Sequence, residues 1–407
     1  MPAPKLAEPS AGARRPSKRP LLFGADQIPK NTGFDTRAGL FGRGNIKAMV
    51  SRGLVRAEPG IVDSQYQPAS LDVRVSREAY RLRASFLPGR GSKVRDRLKS
   101  LNAEPVSLAG DGAVLEKGIV YLARIIETLN LIPSVAGAAN PKSSTGRLDI
   151  FTRLIADESE AFDRVPANYV GELWLEISPR SFSVRVREGS RLSQIRFRRL
   201  NSRQQSRYNF ALSDRQLRQV HASCPLVDTD VTIREGLVLT VSLASEANTH
   251  VGYRAIKNSD VIDLERPAFY RAEDFWEPIY ARADRRLILD PDEFYILASK
   301  EKVQIPPAYA AEMAPIDPAI GEFRVHYAGF FDPGFGMGTS GAPSARAVLE
   351  VRSRDVPFLL EDGQPVGRLL YEQLVGATEE LYGASLASNY QGQGLKLSKH
   401  FLEFQAG

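Results

Sequence analysis

Apolar and polar residues alternate with a period of two over many short stretches of the chain. "SLDVRV" (Ser70 to Val75) and "FSVRVREG" (Phe182 to Gly189) are examples, and Asp-Gly, Glu-Gly and Pro-Gly turn signals separate them. A period of two sends successive side chains to opposite faces, which predicts half-buried β-strands. Three stretches depart from it. "GNIKAMVSRG" (Gly44 to Gly53) has helical spacing and a glycine stop. "SDRQLRQVHAS" (Ser213 to Ser223) opens on a Ser-Asp cap signal. "GRLLYEQLVGATEELYG" (Gly367 to Gly383) predicts a third helix. The expected fold is mainly β, a sandwich or distorted barrel of short strands with a few short helices.

The strand pattern is written twice. "AVLEKGIVYL" (Ala113 to Leu122) is echoed by "LILDPDEFYIL" (Leu287 to Leu297), and "LWLEISPRSFSVRVREGSRLSQIRF" (Leu173 to Phe197) by "AVLEVRSRDVPFLLEDGQPVGRLLY" (Ala347 to Tyr371). Tyr121 and Tyr295, Glu176 and Glu350, Gly189 and Gly363, and Phe197 and Tyr371 are all 174 residues apart. One offset shared by separate pairs marks a duplicated unit. The expected organisation is an arm over residues 1–35, disordered at least through its Pro- and Ala-rich first part, a first repeat over 36–203 and a second over 204–407. The boundary falls near "RRLNSRQQSRYN" (Arg198 to Asn209).

Composition narrows the picture. The chain has 407 residues, 43% of them hydrophobic and 25% charged, which is the balance of a globular protein. No run of 18 apolar residues marks a membrane helix, and the N-terminus has no apolar core of a secretory signal. One cysteine, Cys224, excludes a disulfide framework. The cytoplasm is the default location. A net charge of +6 suits a polyanionic partner. Its arginines are spread rather than blocked, which favours a compact phosphorylated molecule over a nucleic-acid track and its interleaved aromatics.

Candidate chemistry follows from particular residues. In "NPKSSTGRLDIF" (Asn140 to Phe151), Ser143, Ser144 and Thr145 offer hydroxyl and N–H donors, Gly146 permits close approach, and Lys142 and Arg147 bring positive charge. The bland alternative is a polar surface turn. Glu176 stands in an apolar strand, with Trp174 on its face and Leu175 and Ile177 on the other. Glu350 recurs one repeat later. A carboxylate among apolar groups has a raised pKa, as a general acid/base requires. The bland alternative is a strand glutamate facing solvent. Zinc chemistry is not expected: beside Cys224 there are only His221, His250, His326 and His400, and no zinc-deaminase ligand pattern. A nucleophile elbow, a P-loop and a dinucleotide fingerprint are missing too. "GFGMGTSG" (Gly334 to Gly341) is expected to be a flexible loop.

Taken in order, "NIKAMVSRG", "QPASLDVRV", "NPKSSTGRL", "GELWLEI", "REGSRLSQIRF", "AGFFDPGFG", "AVLEV" and "YQGQGLKLSKHF" resemble the motifs of the dCTP deaminase and dUTPase superfamily over most of residues 40–402. The resemblance implies two tandem dUTPase-like domains and a dCTP or dUTP ligand. It implies phosphate contacts from Lys142, Ser143, Ser144 and Arg147, and catalytic roles for Glu176 or Glu350 with Arg147 and Ser143. It puts Asp332, with Asp163 as a weaker counterpart, near sugar and base. Carbonyls of Ala328 and Ala156 would face the base. Tyr382, Tyr390 and Gln393 of the tail would stand on the phosphate side. Mg²⁺ is implied on the substrate triphosphate, with no zinc.

The repeats have diverged. Opposite "KSSTGR" the second has "IDPAIG" (Ile316 to Gly321), with no serine pair and no arginine, while the first has no tail. The expectation is one composite site that joins the first-repeat loop to a second repeat, within the chain or across an oligomer. A trimer of two-repeat chains would restore the family's three-fold packing. The activity expected is deamination of dCTP to dUTP by a glutamate base, with a slight preference for Glu176 because its repeat keeps the loop. A dUTP pyrophosphatase, a bifunctional enzyme and a catalytically decayed nucleotide-binding paralogue stay open as alternatives.

Overall fold

The computed structural model describes residues 38–200, 210–244, 250–315, 323–326, 329–338, 341–353, 355–376, 378, 380–383 and 390–404. The expected N-terminal arm, Ala328 and Ile316 to Gly321 lie outside the described residues. Residues 36–407 form one compact unit. Among the described residues no helix is long and apolar enough to cross a membrane.

The fold is mainly β, and both halves use one plan. In the first, a sheet runs in the order Glu104–Ser107, Val75–Leu82, Val120–Asn130, Val170–Pro179, Ile150–Ala156. In the second, the order is Trp276–Tyr280, His250–Ala255, Tyr295–Val303, Ala345–Ser353, Phe323–His326. Each strand has its counterpart in the same place. The other sheet repeats likewise: Ser193–Arg199 pairs with Val135–Pro141, and Pro365–Gln373 pairs with Tyr309–Pro315. Opposed sheets bury a core between them, as in a distorted barrel. In the second half that core gathers Leu239, Leu297, Leu349, Leu369 and Tyr371.

Two predicted helices form. Arg43–Ser51 stops before Gly53, whose φ of +69° lies in the left-handed region open to glycine. Asp214–Ser223 begins with a capping box in which Ser213 and Gln216 bond reciprocally. The third does not. Gly367 to Gln373 belongs to the strand Pro365–Gln373, with Leu369 and Tyr371 inward and Arg368 and Leu370 less buried. Cross-strand pairing overrides the helix-forming composition of this stretch. A short helix that the periodicity did not predict, Val94–Ser100, lays Val94 and Leu98 against Trp174.

Several contacts lock the halves together. Ile262–Asp263 of the second half adds in parallel to Val184–Val186 of the first. Arg198 reaches Glu372, its counterpart one repeat on, through two buried bonds of 2.6 and 2.5 Å. Beside them Arg196 donates to Glu312 at 2.8 Å.

Candidate functional site

The strand Val135–Pro141 ends at a proline, which cannot donate to a ladder. Lys142 is extended (φ −71°, ψ 149°), and Ser143–Gly146 then make one helical turn. Thr145 and Gly146 donate their backbone N–H groups to the Lys142 carbonyl, both at 2.9 Å. The turn is thereby tied to its own start.

A cavity of about 150 Å³ opens where this loop meets the second half. Lys142, Ser143, Ser144 and Arg147 form one wall, and Tyr382, Tyr390, Gln393 and Lys399 of the C-terminal segment another. Phe330, Phe331, Phe335, Met313 and Val348 give an apolar surface able to take the face of a planar ring. Glu350 and Asp332 place carboxylates beside it. Glu350 projects from Ala345–Ser353, flanked by Tyr295–Val303 and Phe323–His326, so the position is buried by strands on both sides. Asp332 begins an Asp-Pro-Gly turn, and its Oδ1 accepts the Ala69 N–H of the first half at 3.0 Å. Gly334 ends that turn at φ +91°, where a Cβ would lie 2.8 Å from the Leu381 Cβ.

Arg147 is 3% exposed and held by the tail. Its Nη1 donates to the Lys396 carbonyl and its Nη2 to Gln393 Oε1, each at 2.8 Å. The Tyr390 ring lies 3.8 Å from the guanidinium carbon. Gln393 bonds onward to the Arg346 carbonyl at 3.1 Å. Lys142 pairs with the buried Asp72.

Burial pushes the Glu350 carboxyl up to about 8, although the Arg147 charge opposes the shift. Burial, with the Asp72 charge adding to it, pushes Asp332 up to about 7 against the Ala69 N–H and the charges of Lys142 and Arg196. Burial, then the neighbouring Lys142 charge, holds the Lys399 ammonium below its ordinary range. The site therefore holds carboxyls that exchange protons near neutrality, next to a cationic, hydroxyl-rich loop.

The remaining predicted residues lie elsewhere. Glu176 is buried, with Oε2 lacking a hydrogen-bond partner, and its pKa is raised by burial. It stands opposite Arg153, which pairs with Asp163 at 2.8 Å. Asp163 also accepts the Leu154 N–H. Ala156 closes the same strand. These residues make a separate first-half cluster, and none of them lines the cavity. Sequence reasoning missed Gln67, Gln194, Lys399 and the apolar wall. Gln194 and Lys399 stand inside "REGSRLSQIRF" and "YQGQGLKLSKHF", so motif membership was a signal. Val348 stands inside "AVLEV" in the same way, whereas Met313 carried no signal, since an inward apolar strand residue looks the same in any core.

A second cavity of about 390 Å³ adjoins the first and shares Gln67, Lys142, Ser144 and Lys399 with it. Asp72, Arg191 and His400 are among its other walls.

Two family models match the chain. The 2′-deoxycytidine 5′-triphosphate deaminase N-terminal domain matches residues 37–201, and the C-terminal domain residues 213–401. The crystal structure of 2′-deoxycytidine 5′-triphosphate deaminase from Agrobacterium tumefaciens is 48% identical with a TM-score of 0.80, and the match covers 86% of this chain and 99% of that one. A dUMP-forming dCTP deaminase of Leifsonia xyli subsp. xyli is 34% identical over 127 residues, 30% of this chain and 59% of its own length. One of Kocuria rhizophila, also dUMP-forming, is 35% identical over 126 residues, 30% of this chain and 62% of its own length. The chain thus spans about three-fifths of these two curated relatives.

Proposed function

The chain belongs to the 2′-deoxycytidine 5′-triphosphate deaminase family, and from that premise we propose that its cavity converts dCTP and water to dUTP and ammonia with Glu350 as the general base. The observation that carries this reading is the meeting of Glu350 with Lys142, Ser143, Ser144 and Arg147 around one cavity. The triphosphate lies against the loop, where charge-assisted bonds favour phosphate oxygens. The cytosine ring lies on the phenylalanine wall with C4 toward Glu350. Ionised Glu350 takes a proton from water as the water oxygen bonds to C4. The same proton then passes to the amino nitrogen, the C–N bond breaks, ammonia leaves, and the remaining hydroxyl hydrogen moves to N3 as the C4 carbonyl of uracil forms. Burial serves this cycle, because a carboxyl pushed up to about 8 both accepts and returns a proton near neutral pH.

Magnesium fits the phosphate side of this site. Asp72 Oδ1 is buried without a hydrogen-bond partner, and Asp72 lines the adjoining cavity with Lys142 and Ser144. A hard cation carried on phosphates takes one or two such carboxylates as further partners, and its charge would offset that of the triphosphate. The base chemistry proposed for Glu350 runs on protein groups and water alone.

The test is incubation with dCTP and Mg²⁺, following ammonia and the nucleotide formed. Equal amounts of ammonia and dUTP support the reading. Ammonia with dUMP and pyrophosphate would add the second chemistry that the Leifsonia and Kocuria names state. Unchanged dCTP would overturn deamination. The assembly proposed with it is a homo-oligomer, a trimer of two-repeat chains.

A further inference from the structure

The phosphate-side loop is backed by tail residues, of which His400 also stands in the wall of the adjoining cavity. Ser398 Oγ donates to the Ser144 carbonyl at 2.9 Å. The same oxygen is 2.9 Å from Nδ1 of His400, and His400 Nε2 is 3.1 Å from the Leu264 carbonyl. Ser398 and His400 are 2% and 3% exposed. A carbonyl only accepts, so Nε2 carries the ring hydrogen. Burial holds the His400 pKa down to about 4, so the ring is neutral and Nδ1 is a lone pair. Ser398 has one hydrogen facing two acceptors, Nδ1 and the Ser144 oxygen. The hydrogen is shared between them as a three-centre bond, which ties the hydroxyl to both partners.

We propose that His400 is a positioning residue for nucleotide binding, acting through Ser398 on the Ser144–Thr145 peptide of the phosphate loop. The relay joins three segments: the first-half loop, the tail, and Leu264, next to the strand Ile262–Asp263 that crosses onto the first half. Holding the Ser144 carbonyl fixes the whole peptide plane, including the Thr145 N–H that bonds the Lys142 carbonyl at 2.9 Å. Ser143 and Ser144 hydroxyls then meet the phosphates without first being ordered, which lowers the cost of binding. The proposal rests on the reading of Ser143–Gly146 as the phosphate loop.

Three variants test it. His400→Phe keeps the ring and removes both nitrogens. His400→Asn keeps an acceptor for Ser398. Ser398→Ala removes the hydroxyl. For His400→Phe and Ser398→Ala, the KM for dCTP rises roughly 3–10-fold, as the loss of one neutral hydrogen bond gives. Turnover at saturation stays within about twofold, because the reacting atoms are untouched. His400→Asn recovers most of the KM, and the Phe/Ala double variant is no worse than either single one, as expected of groups in one relay. Inorganic triphosphate, measured by calorimetry, weakens in parallel. An unchanged KM and triphosphate affinity in His400→Phe, or an Asn variant as weak as the Phe variant, would overturn the relay. Wild-type protein that binds triphosphate and leaves dCTP intact would sink the deamination reading instead, and the calorimetric series would still decide the relay.

Discussion

Glu176 and Glu350 stand one repeat apart on equivalent strands, in different chemical company. Glu350 shares a cavity with Ser143, Ser144 and Arg147, whereas Glu176 faces the Arg153–Asp163 pair. Glu350→Gln is expected to slow deamination by roughly 10²–10⁴-fold, the usual cost of losing a general base, while Glu176→Gln keeps most of its turnover. Steady-state rates of the two folded variants decide it: near wild-type turnover in Glu350→Gln would remove Glu350 from its role, and equal loss in both would show that the first half carries chemistry of its own. The same residue sets a pH dependence. Its folded pKa of about 8 lies above the ordinary 4.5. The neutral carboxyl's stabilisation is thus fully present below about 4.5 and is lost as pH rises through 8. Glutamine mimics the neutral form. The melting temperature of Glu350→Gln should therefore exceed that of the wild type by a margin that grows between pH 5 and 9, and a margin flat with pH would refute the burial argument. Arg147→Ala should weaken triphosphate binding by about 1.5–3 kcal/mol, the worth of a charge-assisted bond, and leave the tail carbonyl of Lys396 unpaired. Triphosphate affinity equal to wild type would show that the loop arginine does not touch phosphate. The sequence preference for Glu176 rests on which repeat keeps the loop, whereas in the folded chain it is Glu350 that shares the cavity with that loop. A loop can face a neighbouring unit, and chain position does not say which way it points.

At the scale of elements, composition was a weaker guide than recurrence. Leu369, Leu370, Glu372 and Gln373 are good helix formers, yet "VGRLLY" stands where the first half has the strand residues of "LSQIRF". The repeat carried the answer that local propensity obscured. The Val94–Ser100 helix had no such template, because the segment between Leu82 and Glu104 differs from its counterpart in the second half. Pro365–Gln373 also carries Glu372, whose pair with Arg198 is buried on both sides. Glu372→Ala strands a buried guanidinium, which costs about 3–5 kcal/mol when a buried partner is removed. Thermal denaturation should show a large drop, whereas Glu361→Ala, on an exposed pair with Arg286, should show almost none. A drop no larger than that control would mean that the pair at the repeat junction is not holding it.

The halves are joined without reciprocity. Asp332 of the second bonds Ala69 of the first, while Asp163 of the first bonds within its own repeat. The loop comes from one half, and the tail and Glu350 from the other. Much of this was legible in the residues: the duplicated β plan, the loop, the carboxylates and the tail are all visible as strings. What strings do not carry is contact between distant segments, such as Ser398 with Ser144 or Glu350 with the first-half loop. Those depend on how two folded units dock. Because the cavity is built by one chain, specific activity should stay constant on dilution from micromolar to nanomolar protein. A rate per molecule that falls with dilution would show that a second chain completes the site.

The one-sided junction also bears on inheritance. Once a single chain supplies both halves of a cavity, each repeat is released from keeping what the other provides, and "KSSTGR" can drift to "IDPAIG" in one copy without loss to the organism. With the loop in one half and the tail and Glu350 in the other, neither half by itself supplies the whole cavity, so separating the repeats would cost the site.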